Sequence, residues 1–184
     1  MTYREAMDLG EKVLKMADIA DAKVDAWLLL EMVCKIDRNF YYLHLEDDLS
    51  EEQVSGYEIA LKKRAEHIPL QYIVGETEFM GLRFKVNSSV LVPRQDTETL
   101  VEEALKVIEP GMKVLDLCTG SGCIIISILH NIVNVEGDAV DISRQALNVA
   151  IENAKLNDVV VNFERSDLFD NVTGTYLSLI HISE

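Results

Sequence analysis

The chain has 184 residues, 48% of them hydrophobic, and a formal net charge of −15 at pH 7. That content supports a packed core and argues against wholesale disorder, and the length fits one ordinary domain or a small domain joined to part of another. So acidic a chain lacks the Lys and Arg that nonspecific nucleic-acid binding uses to displace phosphate counterions; Lys62, Lys63 and Arg64 form its one compact basic group, expected as a solvated helix face.

The first part reads as helices. Thr2 and Glu5 have capping-box spacing before the first. "VDAWLLLEMVCKI" follows, with Trp27, Leu30, Val33 and Cys34 at helical spacing. Ser50 and Gln53 offer a second capping box, and Pro69 ends the segment that it opens, since proline lacks the donor that a helix interior needs. These helices are expected to form a small bundle. Trp27 and Tyr57 are expected as packing residues, and His44 and His67 as surface or cap residues rather than metal ligands.

The character changes near residue 70. Leu82, Phe84 and Val86 alternate after Met80-Gly81, which predicts a hairpin. A helix capped by Asp96 or Thr97 is expected next, with the stripe Leu100, Val101, Ala104, Leu105 and Ile108, closed by Pro110-Gly111. From residue 113 strand and helix alternate: "KVLDL", "CIIISILHN", "GDAVD", a helix capped by Ser143, then "VVVNFE". That order implies a parallel sheet with right-handed crossovers, and such sheets bind ligands beyond the carboxyl ends of their strands. The loop Cys118–Gly122, Asp141 and Asp167 all fall at those ends.

Three cysteines without a CxxC pair argue against zinc and fit a reducing compartment. The N-terminus has no apolar signal core and no run approaches the length of a membrane span, so a soluble, cytoplasmic protein is expected.

Gly120 and Gly122 give a G-x-G, but the dinucleotide fingerprint would need a third glycine where Ile125 stands. Asp116 before the loop would repel a pyrophosphate and suit a ligand with a cationic amino group. S-adenosylmethionine is such a ligand. The loop Cys118, Thr119, Gly120, Ser121 and Gly122 would pass beneath its methionine part. Asp141 would accept from both ribose hydroxyls, and Asp167 from the adenine amino group, with an apolar neighbour over the ring. The ordinary alternatives are a helix-leading loop acid for Asp141 and an exposed turn acid for Asp167.

Four stretches, "PLQYIVGETEFMGLRFKVNSSVLVPRQDTETLVEEAL", "VLDLCTGSGCI", "AVDIS..AL..A..NA" and "FERSDLF", together resemble the HemK/PrmC family of protein-glutamine methyltransferases. The resemblance implies an α/β protein: an N-terminal helical bundle plus a partial Rossmann-like class I methyltransferase domain with a parallel sheet. It implies a helical substrate-recognition domain over 1–70, a hairpin linker over 71–92, and an S-adenosylmethionine-binding domain over 93–184, incomplete and atypical over 176–184. It implies methylation of the glutamine amide of peptide-chain release factors in translation termination, with a protein substrate, no direct nucleic-acid partner, no membrane and a monomeric state. The implied cofactor set is Cys118, Thr119, Gly120, Ser121, Gly122, Asp141, Asp167 and Leu168; Arg94 matches a motif beside the pocket. Cys118 stands where the family has glycine, which is tolerable provided that the backbone there avoids positive φ.

The family's Asn-Pro-Pro-Tyr clamp, which orients the amide nitrogen toward the methyl group, has no counterpart: the prolines are Pro69, Pro93 and Pro110. The expectation is a truncated chain with a foreign or frame-shifted tail from Tyr176, an incomplete sheet and no catalytic residue of its own. His181 is tempting as a base but, this near the chain end, is expected to be frayed. The competing readings are a nucleic-acid amino-methyltransferase, a noncatalytic helical binding module with a degenerate nucleoside fold, and, least supported, an NAD oxidoreductase.

Overall fold

The computed structural model describes residues 1–173 and 175–180. It divides into two compact units, Met1–Val74 and Gly75–Glu184.

The first unit is helical: α1 (Tyr3–Met16), α2 (Ala22–Cys34), α3 (Arg38–Leu43), α4 (Glu51–Ala65) and α5 (Leu70–Val74). Both expected capping boxes form, Thr2 with Glu5 and Ser50 with Gln53, so each helix start has backbone donors satisfied by side chains. Leu14, Ala26, Leu29, Leu30 and Tyr57 are fully buried between α1, α2 and α4. The crossing is close: a Cβ on Gly10 would land on the Tyr57 hydroxyl, which donates to the Ala26 carbonyl at 3.1 Å. Trp27 is buried edge-on to Tyr41, and His44 stacks on Phe40, so these residues pack as expected. Arg64 departs from the solvated face. Its Nε reaches the buried Asp25 carboxylate at 2.7 Å and its Nη1 donates to the Ile68 carbonyl, while Lys62 and Lys63 stay exposed. A buried carboxylate needs such a partner, and Arg64 is the cation that α4 places there.

In the second unit β1 (Glu76–Phe79) and β2 (Leu82–Lys85) pair antiparallel around Met80-Gly81, both at positive φ as a tight hairpin turn requires. The stretch read as a linker is therefore divided: Leu70–Val74 is a helix of the first unit, and the hairpin is part of the second. Next come α6 (Gln95–Val107), β3 (Lys113–Leu117), α7 (Cys123–Asn131), β4 (Glu136–Asp141), α8 (Arg144–Leu156), β5 (Asn162–Arg165) and β6 (Leu177–Ile180). Neither Asp96 nor Thr97 caps α6. The extended residue is Arg94, directly after Pro93, so the helix starts earlier and Asp96 falls in its first turn, where a negative charge favours the dipole. Ser143 caps α8 as expected, accepting from the Ala146 N–H at 3.2 Å.

The sheet is parallel, ordered β5-β4-β3-β6. Strand β6 begins one residue beyond Tyr176, so part of the stretch read as atypical joins the sheet beside β3; His181 lies outside the described residues. The strands alternate. Val114 and Ala139 belong to the core shared with α6, α7 and the hairpin, while Leu115, Leu117 and Val140 face Val172 and Tyr176. On that second face Asp138 gathers Lys113, Asn162 and the Tyr176 hydroxyl, at 2.9, 2.9 and 2.8 Å. The chain turns back after β5 to place β6 on the far side of β3, so the order reverses beside the end of β3, where open α/β sheets bind ligands.

Candidate cofactor site

The apolar strand β3 delivers Leu117 to the carboxyl edge of the sheet, and the next five residues turn directly into α7. Backbone bonds fix this turn: Thr119 N–H to Val140 O at 3.0 Å and Gly122 N–H to Thr119 O at 2.8 Å. Gly122 precedes α7 at φ 79, and a Cβ there would stand 2.9 Å from Ile126 Cδ1 and 3.1 Å from Ala150 Cβ. Only glycine meets both demands.

Cys118 sits at φ 58, so the condition on which its substitution was tolerable is not met. The left-handed region disfavours a side chain by ~1 kcal/mol. Cys118→Gly is expected to keep or raise stability by up to ~1 kcal/mol, the gain being blunted by the freer unfolded chain, while Gly122→Ala lowers it by ~2 kcal/mol. Chemical denaturation of the two variants checks the pair.

Asp141 ends β4 half-buried, and both its oxygens meet the backbone. Oδ2 accepts from Gly120 N–H at 3.0 Å and Oδ1 from Ser143 N–H at 2.8 Å. Each carboxylate oxygen keeps a further lone pair. Asp116 lies beneath the loop, fully buried. Its Oδ2 accepts from the Thr119 hydroxyl at 2.7 Å, and its Oδ1 has no hydrogen-bond partner among the described residues. Burial pushes its carboxyl up to about 7, against the opposing pull of the Thr119 hydroxyl. Burial also raises the Cys118 thiol, and the charges of Asp141, Asp116 and Asp167 add to it, so three carboxylates act at this edge of the sheet.

A cleft of about 180 Å³ opens beside the loop. One wall is Cys118 to Ser121 with Asp141; the other is Ser89 to Pro93, with Thr97 behind it. Among the described residues its lining contains no Lys or Arg. Such a cleft is unsuited to a pyrophosphate and suits hydroxyl donors and a cation. Its volume holds part of a nucleoside-sized ligand, since whole-ligand pockets run from roughly 300 Å³ upward.

The structure thus brings together Cys118, Thr119, Gly120, Ser121 and Asp141 along the cleft, with Gly122 supporting the loop from behind. Asp167 and Leu168 fall outside the lining, in an exposed turn whose Leu168 has φ 48. Arg94 is exposed and also outside the lining. Of the wall from Ser89 to Pro93, Val92 and Pro93 belong to the motif that the resemblance places beside the pocket, and Ser89 to Leu91 carry no separate signal. No group of three or more His, Cys, Asp or Glu side chains among the described residues is placed to hold a metal ion. No helix among them is long and apolar enough to cross a membrane.

Residues 5–75 match the PrmC N-terminal domain, and residues 94–181 the methyltransferase small domain. The chain is 36% identical over 174 residues to a release factor glutamine methyltransferase of Koribacter versatilis, covering 94% of this chain and 62% of that protein. It is 40% identical over 159 residues to one of Moorella thermoacetica, covering 84% and 56%. The chain therefore spans about three fifths of the length of these curated relatives. Among solved structures, a ribosomal protein L11 methylase of Lactobacillus delbrueckii subsp. bulgaricus is similar at 28% identity and a TM-score of 0.43, over 48% of this chain and 47% of that one; nothing further rests on it. A methyltransferase small domain implies S-adenosylmethionine as cofactor, and a phosphate-free ligand carrying ribose hydroxyls and a cation fits the acidic, Lys- and Arg-free cleft. The chain thus carries the PrmC N-terminal domain and the methyltransferase small domain in order, and along most of its length it is similar to release factor glutamine methyltransferases.

Proposed function

We propose that this chain binds S-adenosylmethionine in the cleft between residues 89–93 and 118–121, as the cofactor half of a methyltransferase acting on the glutamine amide of a peptide-chain release factor. The observation that carries the reading is Asp141. Its carboxylate stands at the carboxyl end of β4, anchored by two backbone donors, beside a cleft without cationic side chains. S-adenosylmethionine supplies a methyl group activated on a sulfonium. Asp141 accepts the ribose hydroxyls through its remaining lone pairs. The loop from Cys118 to Gly122 lets backbone approach the methionine part, and Asp167 with Leu168 takes the adenine edge and face.

The helical unit is the part proposed to meet the protein substrate, in the cytoplasm, with neither nucleic acid nor membrane as partner and the protein acting as a monomer. It carries a groove of about 420 Å³ lined by Trp27, Tyr41 and Tyr42, with Arg38 5.0 Å above the Trp27 ring. Aromatic rings and arginine are the side chains that concentrate binding energy at protein interfaces.

An amide nitrogen is a weak nucleophile, so transfer depends on acceptors that hold both amide hydrogens and aim the nitrogen at the methyl carbon. The 184 residues contain no Asn-Pro-Pro-Tyr to do this. The expected result is binding without turnover: calorimetry detects S-adenosylhomocysteine, and mass spectrometry finds no methylated glutamine on a release factor incubated with the 184-residue chain and S-adenosylmethionine. Absence of binding refutes the cofactor assignment, and methylated glutamine refutes the assigned division of labour.

A further inference from the structure

Asn153 is a fully buried polar residue on α8, far in sequence from both walls of the cleft. Its Oδ1 accepts from the Lys85 N–H at 2.6 Å, and its Nδ2 donates to the Lys85 carbonyl at 3.0 Å and to the Ser121 carbonyl at 2.9 Å. One acceptor facing one N–H, and one NH₂ facing two carbonyls, fixes the orientation of the amide. Among the described residues strand β2 pairs with β1 alone, so its outer edge would otherwise leave the Lys85 amide group unpaired. The side-chain amide takes the place of a neighbouring strand there. One turn on, Asn157 donates to the Arg83 carbonyl of the same edge at 2.9 Å, but to nothing in the loop.

The two cleft walls leave this junction in opposite directions along the chain. Lys85 leads through a turn at Asn87–Val90 into the wall from Ser89 to Pro93. Ser121 closes the wall that starts at Cys118. On the same face of α8, Ala150 lies against Gly122, so helix and loop are in close contact at two successive turns.

We infer that Asn153 is a positioning residue for the cofactor cleft: by bonding Lys85 and Ser121 at once, it makes the hairpin and the glycine loop a single mechanical unit and sets the width between the two walls. It touches no ligand itself. The consequence for cofactor binding rests on the reading above; the coupling of the two walls does not.

Native-state hydrogen exchange on the 184-residue chain tests the coupling, read at the amides of Lys85, Thr119, Gly120 and Gly122. In the unsubstituted protein these amides are expected to exchange through one shared opening, with the same dependence on denaturant. Asn153→Ala should speed exchange at Lys85 and at the loop amides by about tenfold or more, since one side chain satisfies three backbone groups, two of them part-buried and one buried. Asn157→Ala should speed exchange around Arg83 and leave the loop amides within twofold. If Asn153→Ala does not fold, the shared opening in the unsubstituted protein decides alone. Independent openings at Lys85 and the loop, or loop rates unchanged in Asn153→Ala, overturn the inference. S-adenosylhomocysteine should slow Lys85 as well as the loop. Should it bind nowhere while the shared opening persists, the coupling stands and the cofactor assignment fails.

Discussion

Replacing Asp141 by alanine is expected to weaken S-adenosylhomocysteine binding by ~10² to 10⁴-fold, because hydrogen bonds to an ionised group are each worth roughly 1.5–3 kcal/mol and two ribose hydroxyls lose their acceptor. The same substitution removes the acceptor for the Gly120 and Ser143 amides, so a loss of stability accompanies the loss of affinity. Asp141→Asn separates the two effects. It keeps one oxygen and the shape, but turns the other position into a donor that faces a backbone N–H. Its affinity is expected to fall less than that of alanine, with a similar loss of loop order. Calorimetry paired with thermal melts makes the comparison; wild-type affinity in Asp141→Ala would remove Asp141 from the ribose site.

The second large effect is on pH. The Asp116 carboxyl is raised to about 7 from an ordinary 3.8, chiefly by burial, and one of its oxygens has no donor among the described residues. The folded state therefore holds the proton more tightly than the unfolded state does. Stability from this group is complete below the ordinary carboxylate pKa, falls as pH rises through the interval up to about 7, and levels off above it. The slope is at most ~1.4 kcal/mol per pH unit, giving ~4 kcal/mol across the interval. Asp116→Asn cannot ionise. Denaturation midpoints at pH 4, 5.5 and 7.5 should show the variant gaining on the wild type as pH rises. A constant difference between them would mean that Asp116 is charged throughout. Asp141 is the nearby charge that adds to the shift, and the Thr119 hydroxyl and Ile125 N–H oppose it.

Much of this architecture was readable because local chemistry and tertiary packing agree. Thr2, Ser50 and Ser143 start their helices as their side chains dictate. Met80-Gly81 marks the hairpin, and the runs at 113–117 and 137–141 became neighbouring parallel strands. Disagreements arose where the partner is distant in sequence. Val159 to Val161 read as strand, but pairing begins at Asn162, because the Val159 N–H is used to close α8 on the Ala154 carbonyl at 2.9 Å. Arg64 looks like part of a basic face until Asp25, from another helix, is seen beneath it.

The candidate site divides along the same line. The loop and Asp141 were legible because a strand end fixes where they point. The opposite wall was legible only at Val92 and Pro93, through the resembled motif; Ser89 to Leu91 were not, since they reach the loop through the placement of the hairpin against α8. Asn153 was legible only as a letter of the resembled pattern, with no role attached: an Asn in a helix ordinarily reads as a weak, solvent-facing position, and its value depends on backbone groups 68 and 32 residues away.

The double anchorage of Asp141 bears on how such sequences diverge. The carboxylate is needed by two backbone amides whether or not a ligand ever arrives. A descendant that gave up its cofactor would still be selected to retain an acid at the end of this strand, simply to keep the turn folded. Survival of the aspartate in a related sequence is thus a record of the turn, and loss of binding would be written first in the opposite wall, whose side chains line the cleft itself.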